Sequence, residues 1–208
     1  MEKKSGTSAF SLAVAGNGLA ALLLPSNGQG TLIFTWVCYA FMLCLCMHHA
    51  EEKDKGLCMV FLLSAFLFGT ALMLRVPAGF RLECLLFALC VLAIVWPLRF
   101  LALGEAGAAL TFGTFFWMTT FRLAGLAGGA PWPICLFSTL LLFSVAFIEG
   151  LARYRPHKAV QRFSLPVLMG NLFPALDKRW TARPVPRRIA LVPALVDLAG
   201  TVAAVMVL

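Results

Sequence analysis

Seven long apolar runs dominate this sequence and constrain its fold more than any other feature. They cover residues 9–24, 31–47, 57–74, 82–98, 106–127, 132–148 and 189–208. Helical runs of this length cross a hydrocarbon core of about 30 Å, at about 1.5 Å per residue. Lipid offers no partner for open backbone groups, so a helix is the structure that such runs adopt. The sequence therefore predicts an all-α membrane protein, with about seven transmembrane helices in one domain over residues 1–208.

The composition supports a bilayer as the solvent. Of the 208 residues, 61% are hydrophobic and 12% are charged, whereas a soluble domain is about half apolar and a quarter charged. The net charge of +8 resides between the apolar runs, so it indicates topology and headgroup contacts, not nucleic-acid binding. The seven cysteines lie in or beside apolar runs without metal-ligand spacing, and we interpret them as small buried hydrophobic residues.

The basic residues also predict the orientation. With seven spans, the amino terminus and the loops after the second, fourth and sixth runs share one side, and this side holds 14 of the 17 Lys and Arg residues. By the positive-inside rule it is cytoplasmic. The loop 151–188 alone carries nine of them, and its apolar part 164–176 is too short to span. We predict a multi-pass protein of the bacterial inner membrane with a cytoplasmic amino terminus and a cytoplasmic basic loop.

A few polar residues interrupt the runs or cluster between them. Asp197 lies deep in the last run, where an ionisable residue is a functional hypothesis by default. Pairing with a basic or polar neighbour and protonation are the alternatives. Asn17 is interpreted as an interhelical hydrogen-bonding residue. The segment 48–55 is the one concentrated carboxylate cluster in the sequence, and it is either a solvated turn or a magnesium loop.

Short motifs in the second half of the chain follow one another in a recognisable order. They are Pro97-Leu98-Arg99, Gly104-Glu105, Phe112-Gly113, Glu149-Gly150 and Ser164-Leu165-Pro166. In this order they resemble the UbiA superfamily of intramembrane polyprenyl transferases. That family has P-P-L-R, then G-E, then a helix beginning near F-G. A helix ending N-D-x-x-D-x-x-x-D and a basic residue before S/T-L-P follow. The resemblance covers about residues 82–173.

The resemblance implies a UbiA-like helical bundle whose active face is cytoplasmic. Members ionise a prenyl diphosphate with Mg²⁺ held by two Asp-rich motifs, and an acceptor attacks the allylic cation. Here the second motif falls on Glu149, Gly150, Arg153 and His157, and its basic residue falls on Lys158. The first motif would close the second helix. The chain therefore resembles a shortened member with degenerate Asp-rich motifs.

Candidate site residues follow from this comparison. Substrate or phosphate binding is predicted, if it occurs, at Arg99, Arg153, Arg155, His157 and Lys158. A metal site, if one exists, is predicted at Glu51, Glu52, Asp54 and Glu149. No catalytic residue is assigned. No cofactor is expected, with Mg²⁺ needed only if the chain is catalytically active.

Three functions remain open at this point. The favoured one is a non-catalytic, UbiA-like protein that binds an isoprenoid or another lipid, or serves as a partner subunit. This is favoured because losing the aspartates of a motif removes stabilisation of the leaving group. The alternative is an active prenyltransferase that uses an atypical metal site and a lipophilic acceptor. The further alternative is an unrelated small transporter or complex subunit. The expected partners are a membrane lipid or isoprenoid or a protein partner subunit, and no nucleic acid.

The orientation can be tested by cysteine labelling. We expect a Thr181→Cys variant, in a background without native cysteines, to resist a membrane-impermeant maleimide applied from the non-cytoplasmic side. Labelling should appear once the membrane is permeabilised. Strong labelling in intact membranes would contradict both the orientation and the helix count.

Overall fold

The computed structural model describes residues 8–25, 28–52, 54–126, 132–153 and 164–207, with only the backbone at 51, 52, 99 and 100. Within these ranges there is no strand, which confirms the all-α prediction. The helices are α1 (Ala9–Leu22), α2 (Gly30–Glu52), α3 (Lys55–Arg75), α4 (Ala78–Val95), α5 (Pro97–Phe100), α6 (Gly104–Ala109), α7 (Phe116–Leu123), α8 (Trp132–Ala152), α9 (Leu165–Leu172), α10 (Pro174–Ala182) and α11 (Leu191–Val207). A π-helical segment (Leu110–Phe115) joins α6 to α7, and a 3₁₀ turn (Arg187–Ala190) precedes α11.

Among the described residues, five helical stretches are long and apolar enough to cross a membrane, which indicates an integral membrane protein. They are Gly30–Ala50, Lys55–Arg75, Ala78–Val95, Trp132–Ala152 and Arg187–Val207. Helix α1 has 14 residues and is shorter than a span. The fifth apolar run is divided among α6, the π-helical segment and α7. The count of seven spans and the cytoplasmic placement of 151–188 stay predictions.

Several helix boundaries differ from the apolar runs for identifiable reasons. Helix α4 ends at Val95, because the proline at 97 disfavours helical geometry at Trp96 and begins a new short helix. Helix α2 continues through the polar residues to Glu52, so the predicted turn at 48–55 is much shorter than expected. His48 is buried. Within 151–188, the described part folds into α9 and α10, both too short to span.

Helix α1 lies at the centre of the bundle and contacts α2, α8 and α11. Most of its residues are buried. A methyl group on Gly16 would lie 3.1 Å from the Leu198 side chain in α11, and one on Gly18 would lie 2.7 Å from Val37 in α2. The two glycines therefore let neighbouring helices approach α1 closely, as small residues do in membrane proteins. By contrast, α3 contacts chiefly α2 and leaves most of its leucines exposed, as suits a lipid-facing helix.

An aromatic cluster joins α2 to the middle of the bundle. The Trp36 ring lies 4.9 Å from Phe87 of α4 and 6.0 Å from Phe116 of α7, measured between centroids. Its indole Nε1 donates to Thr120 Oγ1 at 3.0 Å, so the one polar atom of this buried ring is satisfied. These contacts hold α2, α4 and α7 together.

Gly113 provides the test of close packing. It lies in the π-helical segment, and a methyl group there would come within 2.7 Å of the Thr139 Cα in α8. We expect Gly113→Ala to lower the free energy of unfolding by about 1–3 kcal/mol, because a backbone cannot move aside as a side chain can. Thermal unfolding of the protein in detergent, followed by tryptophan fluorescence, measures this change.

The matched control is Gly79→Ala in α4, where nothing lies within 4 Å of the added methyl group. It should change the free energy of unfolding by less than about 0.5 kcal/mol. Equal effects of the two substitutions would contradict the close contact between the π-helical segment and α8.

Candidate functional site

Three of the motif fragments meet at one end of the bundle. A methyl group on Gly150, at the end of α8, would lie 3.2 Å from Glu105 Oε1 and 3.1 Å from Pro166 Cγ. Glu105 stands in the first turn of α6 and Pro166 in the first turn of α9. The fragments Gly104-Glu105, Glu149-Gly150 and Ser164-Leu165-Pro166 are therefore neighbours, although up to 60 residues separate them in sequence. We call this group of fragments the motif end.

Glu149 is bonded to the amino terminus of α1. Its Oε1 accepts hydrogen bonds from the backbone N–H of Ala9 at 2.6 Å and of Phe10 at 3.4 Å. The first N–H groups of a helix have no partner within the helix, and the positive end of the helix dipole attracts an anion. The other oxygen, Oε2, lies 3.7 Å from the Arg153 guanidinium. Glu149 thus caps α1 from α8.

Glu105 does the same for α9. Its Oε2 accepts from the backbone N–H of Leu165 at 3.3 Å. The N-cap residue of α9, Ser164, makes no side-chain cap of its own. The proline at 166 suits the first turn of a helix, because its missing N–H would have no partner there. A carboxylate from α6 therefore completes the start of α9.

Asp54 is the third carboxylate used in this way. It is the N-cap residue of α3, and its side chain accepts from the Leu57 backbone N–H at 3.3 Å. Asp54 and Glu149 are the two predicted metal ligands whose side chains are described, and each caps a helix. The side chains of Glu51 and Glu52 lie outside the described residues, while their backbone belongs to α2.

Of the predicted magnesium site, the structure describes the side chains of Asp54 and Glu149, and both accept hydrogen bonds at a helix amino terminus. N–H donors occupy Oε1 of Glu149, and a cationic guanidinium lies beside Oε2. In the part of the chain whose side chains are described, no group of three or more His, Cys, Asp or Glu residues could hold a metal ion. At Glu149 this arrangement favours helix capping over magnesium coordination.

The predicted phosphate-binding residues are only partly described. Arg153 is paired with Glu149. Arg155, His157 and Lys158 lie outside the described residues, as does the side chain of Arg99. The short helix α5 that carries Arg99 borders α6, because a methyl group on Gly107 would lie 2.8 Å from Leu98 Cδ1. The backbone of Arg99 is therefore close to the start of α6, near the motif end.

A second polar cluster lies inside the bundle. Asn17 of α1, Ser138 of α8 and Asp197 of α11 are all fully buried. Asn17 Nδ2 donates to Ser138 Oγ at 2.8 Å and to Asp197 Oδ2 at 3.0 Å. Of the alternatives for Asp197, pairing with polar neighbours on other helices is the one found. Ser138 was missed, since a serine in an apolar run carries no distinctive signal.

A third polar cluster joins the first half of α4 to the last turn of α7. Glu83 forms an ion pair with Arg122 and accepts from Thr119 Oγ1 at 3.2 Å. The Arg122 guanidinium also lies 5.2 Å from the centre of the Phe80 ring. Arg122 is thus neutralised by an acid on the neighbouring helix, and we interpret the cluster as a structural link.

Comparison of the chain with protein-family models, curated protein sequences and solved structures found no match. Function is therefore inferred from the residues and their geometry alone.

The cap on α1 can be tested by two substitutions at one position. We expect Glu149→Ala to lower the free energy of unfolding by about 0.5–2 kcal/mol, because it removes the acceptor of the first N–H groups of α1. Glu149→Gln keeps an acceptor oxygen and should cost less. Thermal unfolding in detergent distinguishes the two variants. Equal destabilisation by alanine and glutamine would show that the negative charge of Glu149 stabilises the protein, and not its hydrogen bonds to the start of α1.

Proposed function

We propose that the chain is a UbiA-like, multi-pass membrane protein that binds an isoprenoid or related membrane lipid without transferring a prenyl group. The observation that carries the proposal is the engagement of Glu149. This carboxylate stands at the first position of the degenerate second motif, and it caps α1. The remaining positions of that motif are Gly150, Arg153 and His157.

The loss of prenyl transfer follows from the electrostatics of the leaving group. Pyrophosphate departs readily only when its developing charge is neutralised, which Mg²⁺ on carboxylates normally does. At the second-motif positions one carboxylate remains, and Arg153 lies beside it. A cation would compete there with a guanidinium and with two N–H donors. Rate enhancement through a metal at this position is therefore strongly reduced.

The retention of binding follows from the basic residues near the same fragments. Arg155 and Lys158 follow the Glu149 fragment, and Arg99 follows Pro97-Leu98. Arg and Lys hold phosphate oxygens directly, without a metal. Exposed leucines on α3 and α4 provide apolar surface for acyl or isoprenoid chains. The ligand class that fits both features is a lipid with a phosphate headgroup and a long apolar chain.

The proposal includes an orientation. Of the 17 Lys and Arg residues, 14 fall on the side of the amino terminus if seven helices span. That side is then cytoplasmic, and in a bacterium the membrane is the inner one. The motif end, where α1 begins, faces the cytoplasm in this orientation.

The first arm of the test identifies the bound lipid. Protein purified in mild detergent is extracted, and its lipids are compared by mass spectrometry with those of the whole membrane. We expect enrichment of an isoprenoid, and of its phosphate in particular. An Arg155→Gln/Lys158→Gln variant should lose this enrichment. The matched Lys178→Gln/Arg179→Gln variant in α10 should keep it.

The second arm measures reaction. Wild-type protein incubated with a radiolabelled prenyl diphosphate, magnesium and membrane extract should yield no metal-dependent product. Product that is lost in a Glu51→Ala/Glu149→Ala variant would establish the active transferase instead. Lipids in the proportions of the bulk membrane, together with a stoichiometric protein partner, would support a complex subunit and contradict the proposal.

A further inference from the structure

The cluster of Asn17, Ser138 and Asp197 joins three helices in the interior of the bundle. All three residues have zero exposure. They come from α1, α8 and α11, which pack against one another. Ser138 Oγ lies 3.4 Å from Asp197 Oδ2, so Oδ2 receives both the amide of Asn17 and the hydroxyl of Ser138. One oxygen of Asp197 is thus well satisfied.

Two other oxygens of the cluster have no donor. Among the described residues, neither Asn17 Oδ1 nor Asp197 Oδ1 has a hydrogen-bond partner, and both atoms are buried. An amide nitrogen has two hydrogens, and those of Asn17 are directed to Ser138 and Asp197. Both unpaired oxygens are acceptors. They belong to the side chains of Asn17 and Asp197, which the hydrogen bond from Asn17 Nδ2 to Asp197 Oδ2 already joins. The cluster therefore lacks one donor.

The helices that carry the cluster supply no positive charge, and Arg187 and Arg188 of the neighbouring 3₁₀ turn are exposed at the surface. In their described residues, α1 carries no Asp, Glu, Lys, Arg or His, α11 carries only Asp197, and α8 carries only Glu149. Glu149 is 11 residues beyond Ser138, which is about 16 Å along a helix. The helices packed around the cluster carry thiols at Cys135 in α8 and at Cys38, Cys44 and Cys46 in α2. His48 and His49 lie near the end of α2, which is beside the start of α1. A carboxylate here would have no counter-ion.

We infer that the Asn17–Asp197 pair is a binding site for one proton. Asp197 carries it on Oδ1 and donates it to Asn17 Oδ1, while Asn17 Nδ2 donates to Asp197 Oδ2. The two side chains form a neutral acid–amide pair with two hydrogen bonds, and Ser138 is its third member. A single proton supplies the missing donor for both unpaired oxygens and removes the buried charge.

Other occupants satisfy the cluster less well. A water molecule could donate to both oxygens, but it would leave a carboxylate without a counter-ion. A hard cation such as Mg²⁺ or Ca²⁺ takes six or more oxygen ligands, and the three side chains of the cluster offer four oxygens. The proton is the occupant that meets the need for a donor and the need for neutrality together. This inference is independent of which lipid the protein binds.

Infrared spectroscopy tests the proton directly, because a carboxylic acid and a carboxylate have separate C=O bands. The chain has three aspartates, at 54, 177 and 197. In an Asp54→Asn/Asp177→Asn variant, Asp197 is the sole aspartate, so ¹³C-aspartate labelling reports on Asp197 alone without altering the cluster. We expect an isotope-shifted acid band at neutral pH. It should disappear in the further Asp197→Asn variant, where an amide–amide pair keeps the same two bonds and the fold.

A swapped variant provides the matched control. Asn17→Asp combined with Asp197→Asn restores an acid facing an amide, and its acid band should return. A carboxylate band from labelled Asp197 at neutral pH would overturn the inference. So would a band whose position follows the concentration of sodium or potassium, because it would identify a cation as the occupant. An acid band that persists in the Asp197→Asn variant would equally overturn it.

Discussion

The close approach of α1 to its neighbours is the contact on which the rest of the bundle depends. In lipid there is little hydrophobic drive between helices, so association rests on packing and on interhelical hydrogen bonds. Gly16 and Gly18 let α11 and α2 approach, and Asn17 between them bonds to α8 and α11. Three successive residues of α1 thus contact three neighbouring helices. A larger residue at either glycine would separate the helices and lengthen the hydrogen bonds of Asn17.

Three of the carboxylates in this chain accept hydrogen bonds at the amino termini of helices. Glu149, Glu105 and Asp54 accept from the first N–H groups of α1, α9 and α3. Two of these caps come from a different helix, so each fixes a tertiary contact as well as a helix end. The same side chains were candidates for metal binding or stood in motifs of a metal-dependent family. Helix capping by itself therefore explains why these three carboxylates lie where they do.

The sequence predicted the helical membrane class because hydropathy depends on composition over a window, and 61% of the residues are hydrophobic. It did not predict the role of the first run. Gly16 and Asn17 interrupt the aliphatic residues of this run, whereas in the structure they lie in a helix most of whose residues are buried. For His48 to Glu52 the sequence left a solvated turn or a magnesium loop open, whereas α2 continues to Glu52 and His48 is buried, because its burial against the bundle is a tertiary effect. The partnership of Ser138 with Asp197 spans 59 residues and has no local signal.

Helix α8 holds α1 at two points, and this arrangement links the candidate site to the buried cluster. Ser138 contacts Asn17, and Glu149 caps Ala9, so positions that rise along α8 fall along α1. The two helices therefore run antiparallel, and the two contacts fix both the height and the rotation of α1. Turning Glu149 towards a metal ion would release the start of α1. It would also remove the attachment that keeps Asn17 at the depth of Asp197. Metal binding at Glu149 would therefore have to overcome the packing of α1 against α8 and α11.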